Sequence, residues 1–283
     1  MISIIICSRG NDIPTLLRDN IVSTIGCDFE LVIIDNSTNR YNIFQAYNEG
    51  VRRAKGEILC FAHDDILFHD NIWGPVVEKH FEETPEMGLM GVAGSHILSS
   101  HPIYWSACPV ISEHHLHNDH GQIIHCFHEE YFPKGSTLSE VVAVDGLCFF
   151  MRKELFQQIH FDEETYHGFH AYDLDICMQV QALGMRVMVC RDVLVEHAWS
   201  ESTSKKKPGM ELLSVNLRLF VRKWEKMLPI TRGVDIPPHT IFKINQLCEY
   251  AYDATQVRTS KAYRIGRALL SPIKFIQKIA KRR

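Results

Sequence analysis

Asp64 and Asp65 follow His63 at the end of the apolar run Ile58-Leu59-Cys60-Phe61-Ala62. Two adjacent carboxylates repel each other unless a cation or strong donors stand beside them. Hard divalent ions such as Mg²⁺ or Mn²⁺ take one or two carboxylates together with substrate phosphates. A metal at such a pair would neutralise the charge that develops on a departing diphosphate. The same pair also reads as a solvated acidic turn with Asp65 capping a helix, and alone it does not decide. His197, in Val195-Glu196-His197-Ala198-Trp199-Ser200, adds an imidazole, a common metal ligand. Beside Trp199 it reads equally as a packed histidine, and only its combination with Asp65 points to a metal. Tyr172-Asp173-Leu174-Asp175 begins a helical stretch. Carboxylates in a first helical turn are favoured by the macrodipole, whereas a general base must face a cleft within reach of an acceptor hydroxyl.

Two further places carry reactive residue types. Asp145-Gly146 interrupts an apolar strand, where a backbone either bulges or approaches a ligand. His114, His115, His117, His120, His125 and His128 cluster around Cys126. Their spacing fits no tetrahedral zinc signature, so they read as a solvated or acceptor-side loop.

The elements that must hold these groups alternate between strand and helix. Ser3–Cys7, Glu30–Ile34 and Glu57–Ala62 are apolar strands, separated by helices from Pro14 to about Ile25 and over Asn42–Ala54. Near-continuous apolar strands in strand–helix–strand units predict an α/β fold with a parallel, doubly wound sheet. Ligands bind beyond the carboxyl ends of such strands, which puts Ser8-Arg9, Asp35 and Asp64-Asp65 on one rim. From about His96 to Ser139 the periodicity fades. Val141–Met151 reads as a strand broken at Asp145-Gly146, with a short helix from Lys153. Ala171–Leu183 reads as an amphipathic helix with apolar positions Leu174, Ile176, Met178, Val180 and Leu183. Arg186–Cys190 is a strand, and Gly209–Met227 and His239–Tyr252 are helices. The expected organisation is a catalytic domain over 1–204 and a helical C-terminal extension over 205–283 ending in a basic amphipathic tail.

A chain of 283 residues can bury a sizeable core, and no apolar run reaches the roughly 18 to 20 residues of a bilayer span. Met1 to Cys7 reads as a first strand rather than a signal peptide. Nine cysteines without a C-x-x-C pair fit a reducing cytoplasm better than a disulfide scaffold. The net charge of -4 hides an asymmetry, because nine Lys and Arg and no acid lie from Arg258 onward. Residues 1–257 therefore carry 21 basic against 34 acidic groups, about -13, which argues against nucleic acid as a partner. In the tail Ile265, Leu269, Ile273, Ile276 and Ile279 share one helical side, and Arg264, Arg267, Lys274, Lys278 and Lys281 gather on the other. An apolar stripe against a cationic face predicts docking on an anionic membrane surface, with packing on the acidic body as the competing reading. The expected location is cytoplasmic, peripheral on the inner face of the cell membrane.

The order of these pieces resembles the family 2 glycosyltransferases, inverting enzymes of GT-A fold, over about 1–200. Met1–Arg9 resembles their first strand and nucleotide-binding loop. Val32-Ile33-Ile34-Asp35-Asn36-Ser37 resembles their second strand, with its base-recognising Asp. Ala46-Tyr47-Asn48-Glu49-Gly50-Val51-Arg52-Arg53-Ala54-Lys55-Gly56-Glu57 matches their helix signature. His63-Asp64-Asp65 stands where they carry the DXD metal motif, with His in place of the first Asp. Tyr172-Asp173-Leu174-Asp175, with Gly184 downstream, resembles the helix start that supplies their base, with Tyr172 in place of a Glu. His197 matches the late metal-binding His of some members.

The resemblance implies a sugar transfer from a nucleoside-diphosphate sugar, UDP-sugar first, to the hydroxyl of a glycan or lipid-linked acceptor. Bacterial surface polysaccharide or glycolipid synthesis is the implied setting. It implies Asp173 as catalytic base and Asp65 with His197 as ligands of a divalent metal, Mn²⁺ or Mg²⁺. Arg9, Asp35, Asn48, Asp64 and Asp145 are the implied nucleotide-sugar-binding residues. A dinucleotide-binding oxidoreductase would need a Gly-rich loop after the first strand, and Ser8-Arg9-Gly10-Asn11-Asp12 holds one Gly. A nucleotidyltransferase would show a Gly-rich, basic first loop, also absent, and an inactive binding protein of the same fold is the remaining alternative.

Overall fold

The computed structural model describes residues 1–101, 103, 111–113, 115–119, 122–126, 132–197 and 207–260. Its first half runs β1 (Ile2–Ser8), α1 (Thr15–Thr24), β2 (Phe29–Asp35), α2 (Ile43–Arg53), β3 (Ile58–Ala62), β4 (Ile66–Phe68), α3 (Trp73–Glu83), β5 (Met87–Gly91), β6 (Ala93–Ser95) and β7 (Ile97–Leu98). It continues through β8 (Ile111–Glu113), β9 (His115–Asp119), β10 (Gln122–Cys126), β11 (Leu138–Glu140), β12 (Ala143–Val144) and β13 (Cys148–Arg152). A 3-10 turn (Lys153–Gln157), α4 (Tyr172–Ala182), β14 (Arg186–Cys190), β15 (Val195–His197), α5 (Lys207–Trp224), β16 (Ile230–Thr231) and α6 (Pro238–Thr259) complete it.

Seven strands form the central sheet in the order β11-β14-β5-β13-β3-β1-β2. Helices cover both faces. Ile2, Ile4 and Ile6 of β1 pack with Leu17 and Ile21 of α1 and Trp73, Val77 and Phe81 of α3. Ile5 faces the other way, toward Phe44 and Tyr47 of α2, Leu174 of α4 and Leu217 and Phe220 of α5. This alternation, buried on both sides, is why the strands read as continuous apolar runs. The start of α2 is fixed by a capping box: Asn42 Oδ1 accepts from Gln45 N at 2.9 Å, and Gln45 Oε1 accepts from Asn42 N at 3.1 Å.

The sheet is mixed rather than wholly parallel, which corrects the sequence expectation. β1 lies parallel to β2 and β3, but β13 runs antiparallel to both β3 and β5, and β11 antiparallel to β14. An apolar run records burial and not direction, and β13 is buried on both faces. The reversal matters for the site. Cys148 pairs with Ala62, so the Asp145-Gly146-Leu147 turn that precedes β13 arrives at the carboxyl end of β3. A three-residue link joins α4 to β14, so α4 runs back along the sheet and presents its N-terminus at the same rim.

The amphipathic expectation for α4 also needs correction. Tyr172 to Met178 are all buried, because the sheet covers one side and α5 the other, while Leu183 is exposed. Asp175 is a structural hub within this packing. Its carboxylate accepts from Tyr166 Oη (3.0 Å), Gln179 Nε2 (2.7 Å), Trp224 Nε1 (2.8 Å) and Lys223 Nζ (2.9 Å), tying α4 to α5. Asp175→Ala should therefore destabilise the protein by about 3 kcal/mol in urea unfolding. The low end of the usual range is expected because Lys223 keeps Asp162 as a partner at 2.7 Å.

The expected boundary at 204/205 falls within 198–206, outside the described residues. Beyond it, α5 shares the core with α2 and α4, and Ile230 of β16 pairs with Leu98 of β7. The basic tail from residue 261 also lies outside the described residues. So do His114, His120 and His128, whereas His115, His117 and His125 belong to β9 and β10 as backbone. Among the described residues no helix is long and apolar enough to cross a membrane. Cys7, Cys27, Cys60, Cys148, Cys177, Cys190 and Cys248 are free thiols.

Candidate active site

Register aligns the rim. Ser8 at the end of β1 pairs with Asp35 at the end of β2, and Ile6 pairs with Ala62 at the end of β3. The chain leaving β3 is stitched to the turn before β13, since His63 N donates to Leu147 O at 2.9 Å.

The two adjacent carboxylates then part. Asp64 turns to Arg9, whose backbone N and Nε each donate to Oδ2 at 3.3 Å and whose Nη2 donates to Oδ1 at 2.8 Å. This fork fixes the loop after β1 against the turn after β3. Asp65 turns the other way, and its Oδ1 lies 3.4 Å from His197 Nε2 and 3.9 Å from His63 Nδ1. β15 brings His197 there by pairing antiparallel with β4, which sets His197 opposite Ile66, the residue after Asp65. The ligand-type atoms of His63, Asp65 and His197 all lie within 4.8 Å of one another.

Charge follows from this packing. Burial pushes the Asp65 carboxyl up, but the hydrogen bond and charge of His197, together with the charges of His63 and Arg9, outweigh it and hold the carboxyl below its ordinary value. Burial likewise pulls His197 down, and the hydrogen bond and charge of Asp65 with the charge of Asp145 more than offset that, so His197 is raised. His63 is lowered, first by burial and then by the charge of His197. Two imidazole nitrogens and one carboxylate oxygen converging on one point suit a borderline divalent cation, so the residues fit a metal.

On the other side of the rim, Asp173 is buried in the first turn of α4. Its Oδ2 accepts from Gly146 N at 3.3 Å and its Oδ1 from Leu174 N at 2.9 Å. Burial, followed by the charge of Asp145, pushes its carboxyl up to about 7. A carboxyl that titrates near neutral pH is matched to proton abstraction from a hydroxyl. Asp145 faces the same space, with its Oδ1 accepting from Leu147 N at 3.1 Å. The Tyr172 hydroxyl donates to Gly146 O at 3.0 Å and lies 2.9 Å from His63 Nε2. Ala171, which turns the chain into α4, sits in the left-handed region at φ 71°. Such a conformation costs a non-glycine residue on the order of 1 kcal/mol, and here it directs Tyr172 and Asp173 at the Gly146 turn.

Of the sequence-predicted residues, Arg9, Asp64, Asp65, His197, Asp145 and Asp173 converge on the rim. Asp35 stands at the end of the neighbouring strand, exposed, its Oδ1 accepting from Ser37 N at 2.9 Å. Asn48 does another job. Its Nδ2 donates to Phe161 O (2.8 Å) and Glu163 Oε2 (3.0 Å), and its Oδ1 accepts from Phe161 N (3.1 Å). The amide, expected at the nucleotide-sugar, here holds α2 against that loop. Sequence reasoning treated His63 and Tyr172 as departures from a motif. The signal it lacked is that the two departures touch each other.

A model of a family described as Glycosyltransferase like family matches residues 4–224. No curated protein sequence matches. Among solved structures, the chain is similar to GalNAc-T7 with UDP, GalNAc and Mn²⁺, at 12% identity and a TM-score of 0.56. That alignment covers 94% of this chain but only 57% of the other. It is also similar to residues 1–349 of S. aureus TarS in complex with UDP-GlcNAc, at 13% identity and a TM-score of 0.50, over 95% of this chain and 75% of the other. At such identities the likeness is one of fold.

Proposed function

We propose, from the premise that the chain belongs to the Glycosyltransferase like family and has the GT-A fold, that it moves a sugar from a nucleoside-diphosphate donor to an acceptor hydroxyl with inversion. The observation that carries this reading is the meeting, on one rim, of a His-Asp-His cluster with a buried carboxyl poised near neutral pH.

Asp35 recognises the nucleobase edge, and Arg9, locked to Asp64, meets the nucleotide. A divalent cation held by Asp65 and His197, Mn²⁺ ahead of Mg²⁺ on the donor types, would neutralise negative charge on the departing diphosphate. Asp145 lies beside the sugar or acceptor. Asp173, once ionised, takes the acceptor hydroxyl proton while that oxygen forms its bond to the anomeric carbon. The bond from that carbon to the diphosphate breaks on the opposite face, and its electron pair leaves with the diphosphate. No covalent enzyme intermediate is needed. A UDP-sugar is the first donor, in keeping with the UDP compounds held by both structural neighbours. The acceptor is a glycan or lipid-linked hydroxyl, and the basic tail supplies an anchor to an anionic membrane surface.

The test is incubation with a panel of sugar nucleotides, with and without Mn²⁺, following release of the nucleoside diphosphate. Cation-dependent release from one UDP-sugar is expected. Tight UDP binding with no release from any donor would mark an inactive binding protein of the same fold instead.

A further inference from the structure

We propose that Tyr172 is the positioning residue of the His-Asp-His cluster, setting the tautomer of His63 so that its Nδ1 lone pair faces Asp65 and His197. This rests on the reading above that the rim holds a divalent cation.

The argument turns on one proton. The Tyr172 hydroxyl lies 3.0 Å from the carbonyl oxygen of Gly146 and 2.9 Å from His63 Nε2. A carbonyl oxygen can only accept, so the hydroxyl proton points at Gly146; otherwise two sets of lone pairs would face each other at that distance. The Tyr47 side chain is the hydroxyl's other hydrogen-bond partner; toward His63 the hydroxyl offers a lone pair, so Nε2 carries the imidazole proton. A neutral imidazole protonated at Nε2 has its lone pair at Nδ1. Nδ1 is the ring atom on the Asp65 side, 3.9 Å from the same Oδ1 that lies 3.4 Å from His197 Nε2. The sequence Gly146 carbonyl, Tyr172 hydroxyl, His63 ring thus delivers a free lone pair to the point where Asp65 and His197 converge. Metal-bound histidines are held in this way, with the distal N–H donated to an oxygen.

The relay is built rigidly. A Cβ on Gly146 would stand 2.1 Å from Tyr172 Oη, so only glycine lets the hydroxyl reach the carbonyl beneath it. The buried Tyr172 ring is held edge-on by Phe44 at 6.3 Å and Tyr47 at 5.5 Å between centroids. Two imidazoles and one carboxylate make a donor set that favours Mn²⁺ and softer divalent ions over Mg²⁺, which prefers a shell of oxygens.

Mn²⁺ binding to the full chain, read from the paramagnetic resonance of free Mn²⁺ and repeated with Mg²⁺ in competition, gives the first measurement. Nitrogen chemical shifts of the His63 ring in metal-free protein give the second, which a merely structural role for Tyr172 would not move. Wild type should show His63 protonated at Nε2, and Mg²⁺ at about a tenfold excess should leave most Mn²⁺ bound. Tyr172→Phe, which removes one oxygen and keeps the ring, should weaken Mn²⁺ binding about 10- to 100-fold and mix the two tautomers. Gly146→Ala should do the same by displacing the hydroxyl, and His63→Ala should weaken binding at least as much. Wild-type Mn²⁺ affinity in His63→Ala, beside loss of binding in Asp65→Ala, would overturn the role of His63 and leave the cation site standing. Unchanged binding in Asp65→Ala as well would remove the cation reading itself. Protonation of wild-type His63 at Nδ1 would overturn the role of Tyr172.

Discussion

Asp65→Ala should keep the fold and lose cation-dependent sugar transfer by a factor of about 10³ or more. The size follows from asking one group to support several kcal/mol of charge neutralisation on the diphosphate, at 1.36 kcal/mol per tenfold in rate. The fold should survive because the Asp65 side chain is only partly buried and its partners, His197 and His63, keep access to solvent. Removing it therefore strands no ion in the core. Initial rates of UDP release across a Mn²⁺ titration check the prediction, with a melting curve as the control for folding. A folded variant that retains full cation-dependent activity would remove Asp65 from the site.

The strand ends were legible because a strand buried on both faces and halted by acids leaves a plain pattern. His63-Asp64-Asp65 closes such a run in β3, Asp35 closes the apolar but half-buried edge strand β2, and both lie on the rim where the alternation put them. The start of α2 was legible in the helical spacing of Asn42–Ala54, and the capping box between Asn42 and Gln45 fixes it there. Other parts left no comparable trace. β5, Met87-Gly88-Leu89-Met90-Gly91, has two glycines and no β-branched residue, and β4 is three residues long. The direction of β13 is invisible in Cys148–Arg152, yet it carries the Asp145-Gly146 turn to the rim. Within the site, residue types alone make Asp64 and Asp65 equivalent. Only the folded loops assign one to Arg9 and the other to the histidines. Asn48, in a motif that matched well, turned out to face the Phe161 loop, since a helical motif fixes a residue's face without saying what packs against it.

Asp173→Asn should lose turnover by about 10²- to 10⁴-fold, bind donor nearly as wild type, and unfold at a higher temperature at neutral and alkaline pH. The loss follows because an amide nitrogen cannot accept the hydroxyl proton, the step assigned to the carboxylate. The gain in stability follows from the same carboxyl. Its folded value, about 7, lies above the ordinary 3.8, so folding favours the protonated form. That contribution is fully present below about 3.8, fades as the pH rises toward 7, and is gone above it. Above pH 7 the buried carboxylate accordingly costs the fold about 4 kcal/mol relative to acid pH, an order-of-magnitude figure from the gap between the two values. Asparagine carries no charge at any pH and escapes this cost. It offers one acceptor oxygen where Asp173 offers two, to Gly146 N and Leu174 N, which takes back about 1 to 3 kcal/mol. A net gain of about 1 to 3 kcal/mol at pH 8 remains, some 2 to 4 °C in Tm per kcal/mol. It should shrink to nothing or reverse near pH 4. In the wild type, kcat should climb as the pH rises through about 7 and level off above it, while the residual rate of the variant shows no such step. Rate profiles and melting curves across pH 5 to 9, run on both proteins, read the two effects together. Turnover within a few-fold of wild type, or a kcat that is flat through neutral pH, would send the search for the base elsewhere on the rim.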